Sequence, residues 1–283
     1  MRPHLIAVLG SALALAACGP TSGDDATNAD GGRDAAVRDD GGGLLTDAPS
    51  GNADVVPGFV GAVYAHSSSD LYKIDPDTLA VTHVAAFAFP GSDEMTDIAL
   101  DATANMVGIS YDTVYAVNKD TGACTRLAAL DRRFNGLSFV PGDEITGGQE
   151  ILVGAALDGT VYRIDKTTGQ SSRIGNYAGG MTSSGDLVSV TGFGTVATVK
   201  KGLGGTDWLA RVDPNTGVAT PIGDTGQTDI WGLGYWKGKV FGFTEGGRFV
   251  LINVQTGAAT VQPNGGGIAW WGAGVTTSAP TID

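Results

Sequence analysis

The chain has 283 residues, with 17 Lys and Arg against 30 Asp and Glu, a formal net charge of −13. That acidity argues against nucleic acid or anionic lipid as the main partner. Only Cys18, Cys124 and three histidines are present, so neither a disulfide framework nor a histidine-rich zinc site is expected.

Residues 1–17 read as a secretory signal. Arg2 supplies the positive start, and Leu5 to Ala17 is an almost unbroken apolar run, too short to span a bilayer. The run ends in Leu15-Ala16-Ala17-Cys18, which resembles the lipobox of bacterial lipoproteins. The resemblance implies cleavage before Cys18 and lipidation of its thiol, an anchor strengthened by every buried acyl CH₂. Gly19 in place of Asp implies, by analogy with Gram-negative lipoproteins, the outer membrane. The alternative is a plain secreted protein cut after an Ala-x-Ala-like site. With Cys18 lipidated, Cys124 has no disulfide partner and is expected as a small buried thiol. Residues 18–57 carry eight aspartates against Arg33 and Arg38 and no aromatic residue. Such a segment buries too little apolar surface to offset chain entropy, so an acidic, disordered tether is expected.

From Asp70 onward one strand-turn-strand unit recurs five times. The copies are DLYKIDPDTLAVTHVAAF from Asp70, TVYAVNKDTGACTRLAAL from Thr113, TVYRIDKTTGQSSRIGNY from Thr160, WLARVDPNTGVATPIGDT from Trp208 and RFVLINVQTGAATVQPN from Arg248. Their matched residues Asp75, Asn118, Asp165, Asp213 and Asn253 are 43, 47, 48 and 40 positions apart. An all-strand repeat of about 40 to 50 residues is the signature of a β-propeller with one repeat per four-stranded blade. In each turn the Asp or Asn caps through its side chain and Gly accepts a positive φ at the exit. Leu79 replaces that glycine in the first copy, so a different turn or a bulge is expected there.

Between the hairpins, small apolar stretches at Ile98–Leu100, Gly136–Phe139, Leu187–Val190 and Gly232–Tyr235 suit strands lining a central channel. The first copy lacks such a strand, and a lone one, Ile268 to Val275, follows the fifth. Joining the two predicts an all-β, five-bladed propeller over residues 58–277, with 278–283 as a tail, whose ring the C-terminal inner strand closes onto the N-terminal blade. The LYxIDPxTGxxTxIG copies and the closing WGAGVTT resemble lipid-anchored propeller proteins of uncharacterised role from myxobacteria-like predatory soil bacteria. More loosely they resemble quinoprotein-like and YVTN-like propellers. The resemblance implies fold and compartment and transfers no catalytic residue. Quinone-binding propellers usually carry a tryptophan after Thr-Gly where this chain has Arg126 and Arg173, which weighs against that cofactor.

Phosphate-loop, HExxH and GxSxG motifs are absent from the sequence. His66, at a strand end, and His83, within one, are expected as surface or strand-packing residues. Asp97, Asn135, Asp186 and Asp229 fall near the starts of four inner strands, where loops open over the channel. They suit a hard cation such as Ca²⁺, or sugar hydroxyls beside Trp231, Trp270 or Trp271; equally, each suits capping of its own turn. Adjacent Trp270 and Trp271 must point to opposite faces of a strand. The expectation is a non-catalytic binding or scaffold module for protein or glycan at the channel mouth. The alternative is a metal-assisted hydrolase or lyase using Asp97, Asp186 and Asp229. An inert spacer in the envelope is the third.

Overall fold

The computed structural model describes residues 61–282; the signal segment, Cys18 and the whole tether lie outside the described residues. Twenty strands form five four-stranded antiparallel sheets arranged as a five-bladed β-propeller. Blade 1 contains β1 (Val63–His66), β2 (Asp70–Ile74) and β3 (Val81–Ala86), and its inner strand is β20 (Gly272–Gly274). Blade 2 runs β4 (Asp97–Leu100), β5 (Met106–Ile109), β6 (Thr113–Val117) and β7 (Cys124–Ala129). Blade 3 runs β8 (Gly136–Val140), β9 (Ile151–Ala155), β10 (Thr160–Ile164) and β11 (Ser171–Asn176). Blade 4 runs β12 (Met181–Val190), β13 (Gly194–Lys201), β14 (Trp208–Val212) and β15 (Ala219–Asp224). Blade 5 runs β16 (Ile230–Trp236), β17 (Lys239–Thr244), β18 (Phe249–Asn253) and β19 (Ala259–Gln262). β20 pairs with β1 through Tyr64 with Gly274 and His66 with Gly272, which closes the ring.

The core lies between blades. Phe241, Phe243 and Phe249 of blade 5 stack with one another and meet Trp270 and blade 1 residues such as Val63 and Ile74. Each such fully buried apolar side chain stabilises the fold by roughly 1.5–3 kcal/mol. Blades also touch through their turns. A Cβ on Gly169 would strike the Ala129 carbonyl of the preceding blade, so only glycine lets those two blades approach.

The turns share one geometry, including the one expected to differ. Gly122, Gly169, Gly217 and Gly257 have φ of 71°, 73°, 73° and 76°, and Leu79 has φ 60°. The Leu79 N–H donates to the Asp75 carbonyl at 2.8 Å, as Gly122 N–H does to Asn118 at 2.8 Å. The first hairpin therefore keeps the common turn. Leucine in this left-handed conformation costs about 1–2 kcal/mol. Packing of Leu79 against the blade 5–blade 1 core and a 2.9 Å bond from Asn264 Nδ2 to its carbonyl offset that strain.

Candidate functional site

The inner strands carry two successive layers of residues around the axis. Aligning strands by their pairing partners places Asp97, Gly136, Asp186, Gly232 and Gly272 in one layer. The residues one step earlier are Thr96, Asn135, Gly185, Trp231 and Trp271, one strand rise of about 3.3 Å nearer the mouth.

The deeper layer is sealed. Asp97 is 1% exposed and Asp186 0%. Asp97 accepts N–H bonds from Ile98 at 2.8 Å and from Leu137 of the next blade at 2.6 Å. Asp186 repeats the arrangement with Leu187 at 2.6 Å and Leu233 of its next blade at 2.6 Å. Two side chains thus tie together four of the five inner strands. Gly136 and Gly232 let the backbone of a neighbouring inner strand pass close, and Gly272 makes room for the side chains: a Cβ there would collide with Asp97 Oδ1 and His66 Nε2. The two carboxylates also lie within hydrogen-bonding reach of each other. Burial, and for Asp97 also the charge of Asp186, raises both well above the ordinary carboxylate value. Two buried carboxylates in contact cannot both ionise readily, and the four amide N–H groups only partly oppose that shift by favouring the charged form.

His66 completes this layer. Its Nδ1–H donates to the Ser67 carbonyl at 2.8 Å, and Nε2 lies 3.9 Å from Asp97 Oδ1 without a hydrogen-bond partner. Burial pushes the imidazole down to about 4, so it is neutral near pH 7.

The upper layer is open and aromatic. Thr96, Asn135, Trp231 and Trp271, with Phe134 and Tyr111, enclose a cavity of about 160 Å³. The indoles of Trp231 and Trp271 stand nearly perpendicular, 83° apart with centroids separated by 6.3 Å. Tyr111 is 44% exposed and comes from the turn between β5 and β6, whereas Phe134 is buried. Asn135 Nδ2 donates to Ser183 Oγ at 3.2 Å, and the Thr96 hydroxyl donates to the Ile109 carbonyl at 3.0 Å.

The seven residues singled out from sequence therefore separate into four places. Asn135, Trp231 and Trp271 come together in the cavity. Asp97 and Asp186 meet one layer below it, committed to backbone amides. Asp229 lies outside both layers: its side chain is 46% exposed and pairs with Lys200 Nζ at 3.3 Å, which also binds the buried Asp207 at 2.9 Å. Trp270 is fully buried between Tyr72 and Phe243, each ring centroid 5.2 Å away. Among the described residues no group of three or more His, Cys, Asp or Glu side chains is arranged to hold a metal ion. Cys124 is buried, and its thiol is pushed up to about 12, chiefly by burial, which suits packing rather than nucleophilic chemistry. Sequence reasoning missed Thr96, Phe134 and Tyr111. Tyr111 had a signal, since connections between second and third strands open on the same face as those entering the inner strands.

No family model and no curated protein sequence matches the chain. Solved structures do. The computationally designed protein Ika8 aligns at 20% identity and a TM-score of 0.35, over 73% of this chain and 59% of its own. A protein of unknown function from Bacteroides caccae aligns at 9% identity and a TM-score of 0.41, over 71% of both chains. Another of unknown function, from Bacteroides thetaiotaomicron VPI-5482, aligns at 15% identity and a TM-score of 0.45, over 71% of this chain and 55% of its own. The chain thus spans less than two thirds of two of these three proteins. These likenesses assign no ligand, partner or activity.

Proposed function

We propose that the propeller is a non-catalytic binding module, and that the aromatic cavity over its axis receives one protruding group of a protein or glycan partner. The observation that carries this reading is the partly exposed Trp231–Trp271 pair walling a concave site beside Asn135. Partly exposed aromatic rings offer large contact area at low entropic cost, and a few placed polar atoms then fix orientation. A cavity of about 160 Å³ is small for a whole ligand, which suits insertion of a single group from a larger partner. The buried Asp97–Asp186 pair belongs to the scaffold in this reading. Lipidation at Cys18 and display from the outer membrane remain part of the proposal, resting on the Leu15–Cys18 motif.

The test is capture from envelope extracts and on glycan and peptide arrays by the immobilised full chain, beside a Trp231→Ala/Trp271→Ala variant. Retention that disappears in a variant with unchanged thermal unfolding supports the cavity as the site. Equal retention by both proteins moves binding elsewhere. No retention by either leaves the inert-spacer role.

A further inference from the structure

The cavity has a chemical bias beyond being aromatic. Four of its six lining side chains are rings, and two of those are set edge to face. Of its other two side chains, the Thr96 hydroxyl already donates to the Ile109 carbonyl and one Asn135 Nδ2–H to Ser183, so few donors face a guest. None of the lining residues carries a positive charge.

One layer below lies the Asp97–Asp186 pair, shut off from solvent, so the open ring faces are what the cavity presents to a guest. At the rim the Arg133 guanidinium already lies 5.1 Å from the Tyr111 centroid, which shows that this ring's face accepts a cation. A cation whose charge is spread over methyl groups gains from the ring faces and needs no hydrogen-bond acceptor in return.

Resting on the binding reading above, we infer that the group received by the Trp231–Trp271 cavity is a quaternary ammonium, of the kind a choline substituent or a trimethylated lysine presents. Arg133 then acts as a rim competitor, reaching the same aromatic wall from outside.

The experiment is isothermal titration of the full chain with choline, its neutral isostere 3,3-dimethylbutan-1-ol and a trimethyl-lysine peptide, at constant ionic strength. Saturable choline binding, at least about tenfold tighter than the isostere, is expected from the cation–π contribution. Trp271→Ala should abolish it, and Arg133→Ala should tighten it several-fold by removing the competing charge. The choline and peptide arms separate the two sources of the group: peptide binding well above choline assigns a protein partner, and the reverse assigns a choline substituent. Equal affinity for choline and the isostere overturns the inference, as does weaker choline binding in Arg133→Ala. If choline fails while array glycans are still retained through the tryptophans, only the ammonium assignment falls. If neither is bound, the binding reading falls with it.

Discussion

Two layers of the same five strands, one residue apart, have opposite characters. The deeper one places carboxylates where no water reaches and spends their oxygens on backbone amides of neighbouring blades. The upper one leaves tryptophan and tyrosine partly in water with few fixed partners. The difference shows that burial and commitment of polar atoms, rather than residue type, separate a part that holds the ring from a part left open to solvent. A carboxylate near a channel mouth invites a catalytic or metal reading. Here the amides of Leu137 and Leu233 have already claimed those of Asp97 and Asp186.

The contrast breaks most sharply at Asp186. Asp186→Ala leaves the Leu187 and Leu233 N–H groups buried without acceptors and should cost about 3–5 kcal/mol by chemical denaturation. A loss below 1 kcal/mol would mean the pair is not a structural tie. Gly272→Ala drives a Cβ into Asp97 and His66 and should cost about 1–3 kcal/mol, read the same way.

The titratable groups sharpen the comparison further. His66 is neutral in the fold with a value of about 4, against 6.5 when unfolded. Its contribution is therefore present above pH 6.5 and is lost as pH falls toward 4, roughly 3 kcal/mol in all. The carboxylate pair has the opposite sign. The fold keeps a proton that the unfolded chain releases above about pH 4, so stability falls as pH rises through that range, by up to about 1.4 kcal/mol per unit per proton retained. Melting curves from pH 4 to 8 should therefore lose their acid limb in His66→Gln and flatten on the alkaline side in Asp97→Asn. Unchanged curves in both would show that this layer does not titrate as described.

The smallest effect on stability belongs to the upper layer. Trp271→Ala should shift unfolding by less than about 1 kcal/mol, the range of ordinary surface changes, while removing ligand retention. A large loss of stability would place Trp271 in the scaffold with Trp270.

Much of the architecture was legible because a period of about 40 to 50 residues and its Asp/Asn–Gly turns are local signals. The lone inner strand after the fifth copy even gave away the ring closure. The site was only half legible. Asn135, Trp231 and Trp271 could be picked because they flank recognisable inner strands. Asp229 looked equivalent to Asp97 but stands three residues before Gly232, and sequence alone offers no ruler for that offset. The bulge between Ser183 and Leu187 hides the register of Asp186 in the same way. Whether a carboxylate faces water or a neighbouring blade's amide is decided by chain segments 40 or more residues away, as with Asp97 and Leu137. His66 was expected at a surface or in ordinary strand packing, since nothing local marks the end of β1 as the centre of a ring.

The closure of blade 1 by β20 also fixes an order in time. β1 is among the first parts of the propeller to leave the ribosome, and the strand that completes its sheet is among the last. Blades 2 to 5 each hold all four of their strands in one contiguous stretch and can assemble as they emerge. The first blade must wait with an open edge until β20 has emerged, so a chain ended between β19 and β20 carries four complete blades and no ring.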